Sequence, residues 1–425
     1  MVIKSKALPE GWALLDFCSF FVLSVVVSLV AWSRKAAERD KFMSRGHCEQ
    51  EEYGDHTCEF DADAERIDRA RVESDRRRGR GAVSNASGRY EPETREAFDD
   101  GWDSLGDLPP FKTRVQDEAA RNIITTNDSP DISFDQSINP YRGCEHGCIY
   151  CYARPTHCYL GHSAGLDFET ILYVKPNAPQ LLERELANPR YRPRIIALGT
   201  NTDPYQPIER ERRLTRQILE VLERAQHPVG IVTKSALVVR DIDILSRMAE
   251  KGLAKVALSI TTLDRRLARA MEPRAATPAR RLEALRLLGE AGVPTTLMMA
   301  PIIPAINDHE IEAVLTAAAR VGVREAGYVL LRLPLEIKAL FREWLEEQQP
   351  GRARRVINLL QSMHEGQDYR SAFGLRKTGS GPYASQIAQR FRLARRRAGL
   401  SGERQQLRTD LFRRPVLPGG QLGLL

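Results

Sequence analysis

Residues 138–153 read Ile-Asn-Pro-Tyr-Arg-Gly-Cys-Glu-His-Gly-Cys-Ile-Tyr-Cys-Tyr-Ala. Cys144, Cys148 and Cys151 fall within eight residues at the spacing C-x3-C-x2-C, and no fourth cysteine follows at a regular ligand interval. Three thiolates hold three irons of a cubane cluster and leave the fourth iron open to a small molecule, so the spacing points to chemistry. A structural zinc site wants four closed ligands, usually two pairs at C-x2-4-C spacing. His146 and Cys158 are the available completions of such a tetrahedron, but His146 lies between the first two cysteines and is poorly placed. The ferredoxin run C-x2-C-x2-C-x3-C does not fit.

The remaining cysteines, at 18, 48, 58 and 158, show no pairing pattern across 425 residues. A disulfide framework is therefore excluded, and a reducing cytoplasmic setting fits best. Hydrophobic residues make up 42% and charged residues 28%, as expected for a mostly globular chain. The net charge of +7 permits a polyanionic partner without requiring one.

Between about 110 and 335 apolar β-rich runs alternate with helical stretches. The runs are 194–199 (Arg-Ile-Ile-Ala-Leu-Gly), 229–234, 255–260, 294–300 and 326–331. Residues 208–225 are amphipathic, with Ile218, Leu219 and Leu222 on one face. A second helix is predicted over 277–291, where Thr277-Pro278 supplies an N-cap and a proline at the first helical position and Gly292 closes the end. A third is predicted over 307–321, starting from an Asn307-Asp308 cap signal. With one more strand just before Cys144, these elements make six β/α units around a mainly parallel sheet. Near-continuous apolar strands suit a sheet covered by helices.

The cysteine spacing, with Tyr150 as the aromatic residue before the last cysteine, resembles the cluster motif of the radical S-adenosylmethionine (radical SAM) superfamily. The resemblance implies a partial (β/α)6 barrel with the cluster loop after its first strand. It implies that Cys144, Cys148 and Cys151 ligate a [4Fe–4S] cluster whose fourth iron chelates S-adenosylmethionine, with Tyr150 near the adenine. Chemistry in such barrels sits at the carboxyl ends of strands. That rule selects Thr200, Asn201 and Asp203 as an acceptor surface for the methionyl ammonium, although the family's Gly-Gly-Glu is absent there. A turn and helix cap explain the same residues. Lys234 could meet a carboxylate or phosphate. Ser259 is a contact to ribose or carboxylate, and Arg274 or Arg280 neutralises the carboxylate, unless these arginines form surface ion pairs. Ile303 packs the adenine face or the core. Ala305 stands where the family usually has glycine, which restricts positive φ there. Arg332, inside an apolar strand end, is a substrate or cofactor contact because an unpaired arginine there is costly.

The flanking runs 138–144, 151–157 and 199–209 look like the bacterial group related to spore photoproduct lyase, often described as DNA repair photolyase-like. The likeness spans about 78–400. Residues 1–77 are then an N-terminal extension, 78–130 a lead-in, 131–335 the radical SAM core and 336–425 a helical basic extension. The apolar run Phe17 to Trp32 has 16 residues, short of the ~20 that span a bilayer. It is read as lying upstream of the true start, with a membrane anchor or a poor signal peptide as the alternatives. Residues 34–108 are highly charged and poor in aliphatics, which predicts disorder, with Arg76-Arg77-Arg78-Gly79-Arg80-Gly81 as a solvated arm.

Spore photoproduct lyase itself uses a hydrogen-donor cysteine well downstream of its cluster, whereas this chain has no cysteine after Cys158. Cys158 is read as a spare thiol on the outgoing loop, or else as a radical relay. The arginine-rich stretch 391–397 could follow a phosphate backbone, and 377–383 could cradle a phosphate; an ordinary helix and loop explain both. The leading function is a radical SAM enzyme served by an external flavodoxin- or ferredoxin-like reductant, with nucleic acid as the favoured substrate class. The alternatives are a non-catalytic iron–sulfur protein for electron transfer or sensing, and a zinc-stabilised nucleic-acid-binding module.

Overall fold

Ten strands form two sheets in the computed structural model, which describes residues 70–91, 94, 108–132, 134–400 and 405–417. The run 17–32 lies outside these residues. Among the described residues no helix is long and apolar enough to cross a membrane.

The strands are β1 (Arg114–Asp117), β2 (Ile124–Thr126), β3 (Gln136–Ile138), β4 (Tyr141–Arg142), β5 (Ile171–Val174), β6 (Ile196–Leu198), β7 (Val229–Thr233), β8 (Ala254–Ser259), β9 (Thr295–Ile302) and β10 (Glu325–Leu330). The larger sheet has the order β10-β9-β8-β7-β6-β3-β2. Six of its strands, β3 and β6 to β10, run parallel, and β2 closes one edge antiparallel to β3. Five of them, β6 to β10, fall on the predicted apolar runs, and β3 is the further strand expected ahead of Cys144. Their carboxyl ends share one edge of the sheet, because every pairing among them is parallel. The smaller sheet, with order β1-β5-β4, has no counterpart in the sequence reading.

Helices Leu214–Arg224, Ile242–Glu250, Pro278–Glu290 and Ile311–Arg320 connect successive parallel strands and cover the sheet. Ile218, Leu219 and Leu222 are fully buried, as the amphipathic pattern requires. The predicted helix 208–225 is broken: Arg213 takes a left-handed φ of 51° between Glu209–Arg212 and Leu214–Arg224. Buried Glu209 sits at that break and accepts the amide of Thr215 at 3.1 Å and Arg240 at 2.7 Å.

Asn307 corrects the cap expectation. Its side chain accepts the amide of Ile303 (2.6 Å) and donates to the carbonyls of Thr261 (2.8 Å) and Pro301 (3.0 Å), pinning the loop after β9 instead of capping a helix. Three further helices follow β10: Ile337–Gln348, Ala353–Met363 and Gly381–Arg397. Phe341 and Trp344 of the first are fully buried.

Candidate active site: the cysteine loop and the strand ends

The cysteine loop leaves β4 through Gly143 (φ 73°) and turns again at Gly147 (φ 67°). A Cβ at Gly143 would meet the carbonyl of Ile171 at 2.8 Å, and one at Gly147 would meet a Glu169 oxygen at 2.7 Å, so both glycines are required by space and conformation. Amides and carbonyls along the loop are tied to the frame. Cys144 N donates to Phe168 O at 2.9 Å, Ile149 N to Met271 O at 3.0 Å, and Glu145 N to the Gln206 side chain at 3.0 Å.

All three cysteines are free thiols; Cys144 and Cys148 are buried and Cys151 half-buried. Burial pushes the Cys148 thiol up to about 12 and that of Cys144 well above its ordinary value, and the neighbouring thiols push in the same direction. Three mutually repelling thiols in one buried loop are a donor set that a soft metal centre would stabilise. No three Cys, His, Asp or Glu side chains among the described residues are gathered on a single ion. The tetrahedral-zinc completions are engaged elsewhere: His146 Nδ1 lies 3.3 Å from Asp203, and Cys158 is fully buried in the hydrophobic core. Cys158 belongs to the 3-10 helix Arg154–Leu160, not to an open loop.

The arm expected to be solvated is instead a wall of the site. Residues 70–91 lie along the cysteine loop, and the amides of Gly81 and Ala82 both donate to the Glu169 carboxylate at 2.9 Å. Arg80 donates to the carbonyl of Glu169 at 2.9 Å. Glu169 also pairs with Arg154 at 2.5 Å, both fully buried. Arg154 reaches the carbonyls of Cys148 (2.9 Å), Ala164 (3.1 Å) and Gly165 (2.9 Å). One buried carboxylate therefore links the lead-in segment to the backbone of the second cysteine. For residues 70–91 the composition argument failed because it counts side-chain polarity, whereas this segment docks through backbone donors and the Arg80 guanidinium; most of 34–108 lies outside the described residues.

A second buried network lies under Tyr150. Its hydroxyl donates to Glu272, which also accepts Arg281 and the Thr261 hydroxyl (2.9 Å). Arg281 further donates to Ser259 O at 2.9 Å, and so fixes the end of β8. Burial opposes ionisation of Glu272, yet Arg281 and Lys234 hold its pKa below the ordinary value. Lys234 Nζ stands 5.6 Å from the centre of the Tyr150 ring. Arg154, Glu169 and Arg281 had no assigned role in the sequence reading. Arg281 did leave a signal: with Ala284, Leu285 and Leu288 it completes the apolar i, i+3, i+4, i+7 stripe of its helix.

The remaining predicted residues occupy the same edge of the sheet. Asp203 does not present a free acceptor surface. Its oxygens take the Thr233 hydroxyl (2.6 Å), the Tyr205 amide (2.9 Å) and the Lys234 amide (2.8 Å), beside His146. Burial opposes its charge, but His146 and these donors hold its pKa down at about 2. Thr200 and Asn201 are half-buried; Thr200 O accepts the Tyr152 hydroxyl, and Asn201 N donates to Asn139 at 3.2 Å. Arg274 pairs with Glu145 of the cysteine loop at 3.2 Å, and Arg280 is exposed. Ile303 is fully buried in the core. Arg332 follows β10 and stacks over Tyr152, 4.8 Å from the ring centre. The loop 377–383 is not an anion cradle: the amides of Gly379 and Ser380 already donate to Leu375 O and Met363 O.

Residues 138–318 match the family model of the Radical SAM superfamily. This part of the chain belongs to the radical SAM superfamily. An uncharacterised protein of Mycobacterium tuberculosis is 35% identical over 221 residues, 52% of this chain and 65% of that protein. An uncharacterised protein of Methanocaldococcus jannaschii is 31% identical over 173 residues, 41% of this chain and 62% of that protein. The chain thus spans just under two thirds of the length of these relatives. Among solved structures, spore photoproduct lyase complexed with dinucleoside spore photoproduct covers 67% of this chain and 79% of its own, at 16% identity and a TM-score of 0.48. The cysteine motif and four of the six parallel strands, β6 to β9, fall inside the matched residues; β3 ends on the first of them and β10 lies beyond the last.

Proposed function

We propose that this protein is a radical SAM enzyme in which Cys144, Cys148 and Cys151 ligate a [4Fe–4S] cluster and S-adenosylmethionine binds along the carboxyl edge of the sheet. The observation that carries the reading is the placement of three free cysteines, two buried and one half-buried, on one loop at that edge, within the family-matched residues. When bound, such a cluster supplies the electron that cleaves S-adenosylmethionine to methionine and a 5′-deoxyadenosyl radical, after receiving it from an external flavodoxin- or ferredoxin-like donor.

The chain's own residues bind, orient and exclude water. Lys234, close to Cys148 and Glu272, supplies positive charge for the methionyl carboxylate, with Ser259 beside it and Arg274 at the rim. Thr200 and Asn201 offer carbonyl and amide oxygens to the ammonium in place of Asp203. Tyr150, clamped by Glu272, turns its ring to the adenine, while Ile303 belongs to the core. Nucleic acid is the substrate class we favour, supported by the exposed Arg392, Arg396 and Arg397 on the last helix. Hydrogen return through a distant cysteine, as in spore photoproduct lyase, is not open to a chain whose last cysteine, Cys158, is fully buried.

The test is 5′-deoxyadenosine formation by anaerobically reconstituted, reduced protein given S-adenosylmethionine. Formation above a Cys148→Ala control is the expected result. A fully loaded cluster that binds no S-adenosylmethionine would instead identify an electron-transfer or sensing protein.

A further inference from the structure

Among the described residues, Arg332 has no carboxylate at salt-bridge distance, unlike the arginines that build the buried networks and helix faces of this fold. Arg154, Arg240, Arg247, Arg281 and Arg286 all hold one at salt-bridge distance. The Nε of Arg332 is buried and has no hydrogen-bond partner, and its Nη2 reaches only the Tyr369 hydroxyl, at 3.4 Å. Its guanidinium carbon lies over the ring of Tyr152, the residue after Cys151, and Tyr152 is 45% exposed at the edge of the site.

A second cation stands close by. Leu330 N donates to Lys377 O at 2.8 Å, which lays residue 377 against the end of β10. Lys377 Nζ touches Asp131 only through its backbone carbonyl, at 2.6 Å, while Arg376 takes the Asp131 carboxylate at 2.5 Å. Burial, followed by the positive charge of Arg332, lowers the pKa of Lys377, and the Asp131 charge opposes them. Arg332 has no carboxylate of its own and keeps a buried donor unsatisfied beside a second cation, an unfavourable arrangement in the empty fold. An oxyanion relieves both defects. A guanidinium whose face is already stacked still presents its edge as a two-pronged donor for carboxylate or phosphate.

We propose that Arg332 and Lys377, framed by Tyr152 and Tyr369, form a subsite for an oxyanion of the substrate, a phosphate or carboxylate group, beside the cysteine loop. The subsite rests on the radical SAM reading above, since it places the substrate against the edge where the radical would form. It assigns to Arg332 recognition of substrate in preference to contact with S-adenosylmethionine.

The experiment uses reconstituted full-length holoprotein saturated with S-adenosylmethionine and titrated calorimetrically with inorganic phosphate and, separately, with acetate. We expect binding of at least one anion in the wild type, weakened ten-fold or more in both Arg332→Gln and Lys377→Gln and partly retained in Arg332→Lys. Arg320→Gln, at the exposed end of the helix Ile311–Arg320, should bind as the wild type does. Tighter phosphate than acetate would identify a phosphate-bearing substrate, and the reverse a carboxylate. Equal binding by the wild type and both glutamine variants, or no binding of either anion by the wild type, overturns the subsite. 5′-Deoxyadenosine from the wild-type sample separates the two ideas. Its formation with anion binding indifferent to both substitutions rejects the subsite alone. Its absence with substitution-sensitive anion binding rejects the radical reading alone.

Discussion

Gly81 lies against Gly147: a Cβ at position 81 would sit 1.8 Å from the Gly147 carbonyl oxygen, inside the loop that carries the three cysteines. No side-chain rotation relieves a clash between a Cβ and a backbone carbonyl, so either the lead-in segment or the cysteine loop must move. Overpacking of this kind costs about 1–3 kcal/mol. Gly81→Ala is expected to reconstitute with less than half the wild-type iron and sulfide per chain. Iron and sulfide assays read the outcome, and full loading would show that the segment covers the loop without shaping it.

The Arg154–Glu169 pair makes a separate prediction. Removing one partner of a fully buried ion pair costs about 3–5 kcal/mol, whereas replacing both with apolar residues is often close to neutral. Glu169→Gln should therefore lower the denaturation midpoint sharply, and Glu169→Leu with Arg154→Met should recover much of it. Arg154 also holds three carbonyls, including that of Cys148. Iron loading should then stay low in the double variant even where stability returns. Recovery of both together would mean that the pair serves the fold only.

These contacts mark where the sequence stopped being informative. Strands β6 to β10 were legible because apolar, β-branched runs such as Ile195-Ile196-Ala197-Leu198 repeat between helical stretches, and burial on both faces leaves few other readings. The cysteine motif was legible because ligand spacing is local. The bond from Gly81 N to Glu169 spans 88 residues and uses a main-chain donor that every sequence possesses. The small sheet β1-β5-β4 was missed for a related reason: its strands have two to four residues each, and β1 is exposed along its whole length. Asp203 was found by its place after β6, but its partners His146, Thr233 and Lys234 come from two distant segments, the cysteine loop and the end of β7. Its conversion from free acceptor to staple therefore required the fold.

Glu343 gives a pH dependence. It is buried on the helix Ile337–Gln348, accepts the Ser84 hydroxyl at 3.0 Å, and its other oxygen has no partner. Burial raises its pKa from the ordinary value near 4.5 to about 7. A carboxyl whose pKa is higher in the folded state stabilises the fold below the unfolded value, and that stability is lost as pH rises through the folded value. Between roughly pH 4.5 and 7 the wild type should lose up to about 3 kcal/mol relative to Glu343→Gln. His157 and His227, held down at about 4 by burial, act oppositely, and their contribution is lost as pH falls below about 6.5. The comparison of wild type with Glu343→Gln by denaturant unfolding at each pH cancels them. Parallel stability curves for the two proteins would show that Glu343 does not titrate in this window.

Ala305 supplies the last prediction. Sequence reasoning held that alanine restricts positive φ after β9, yet Ala305 adopts φ 58° in the turn that Asn307 pins. The turn is thus kept despite the side chain, at the roughly 1–2 kcal/mol that an L-residue loses in the left-handed region. Glycine relieves that strain but frees the unfolded chain, an opposing effect of about 0.4–1 kcal/mol. Ala305→Gly is therefore expected to stabilise the protein by about 0.5–1 kcal/mol, read as a higher denaturant midpoint with an unchanged slope. A lower midpoint would show that the packing of the Ala305 methyl against the core outweighs the backbone strain.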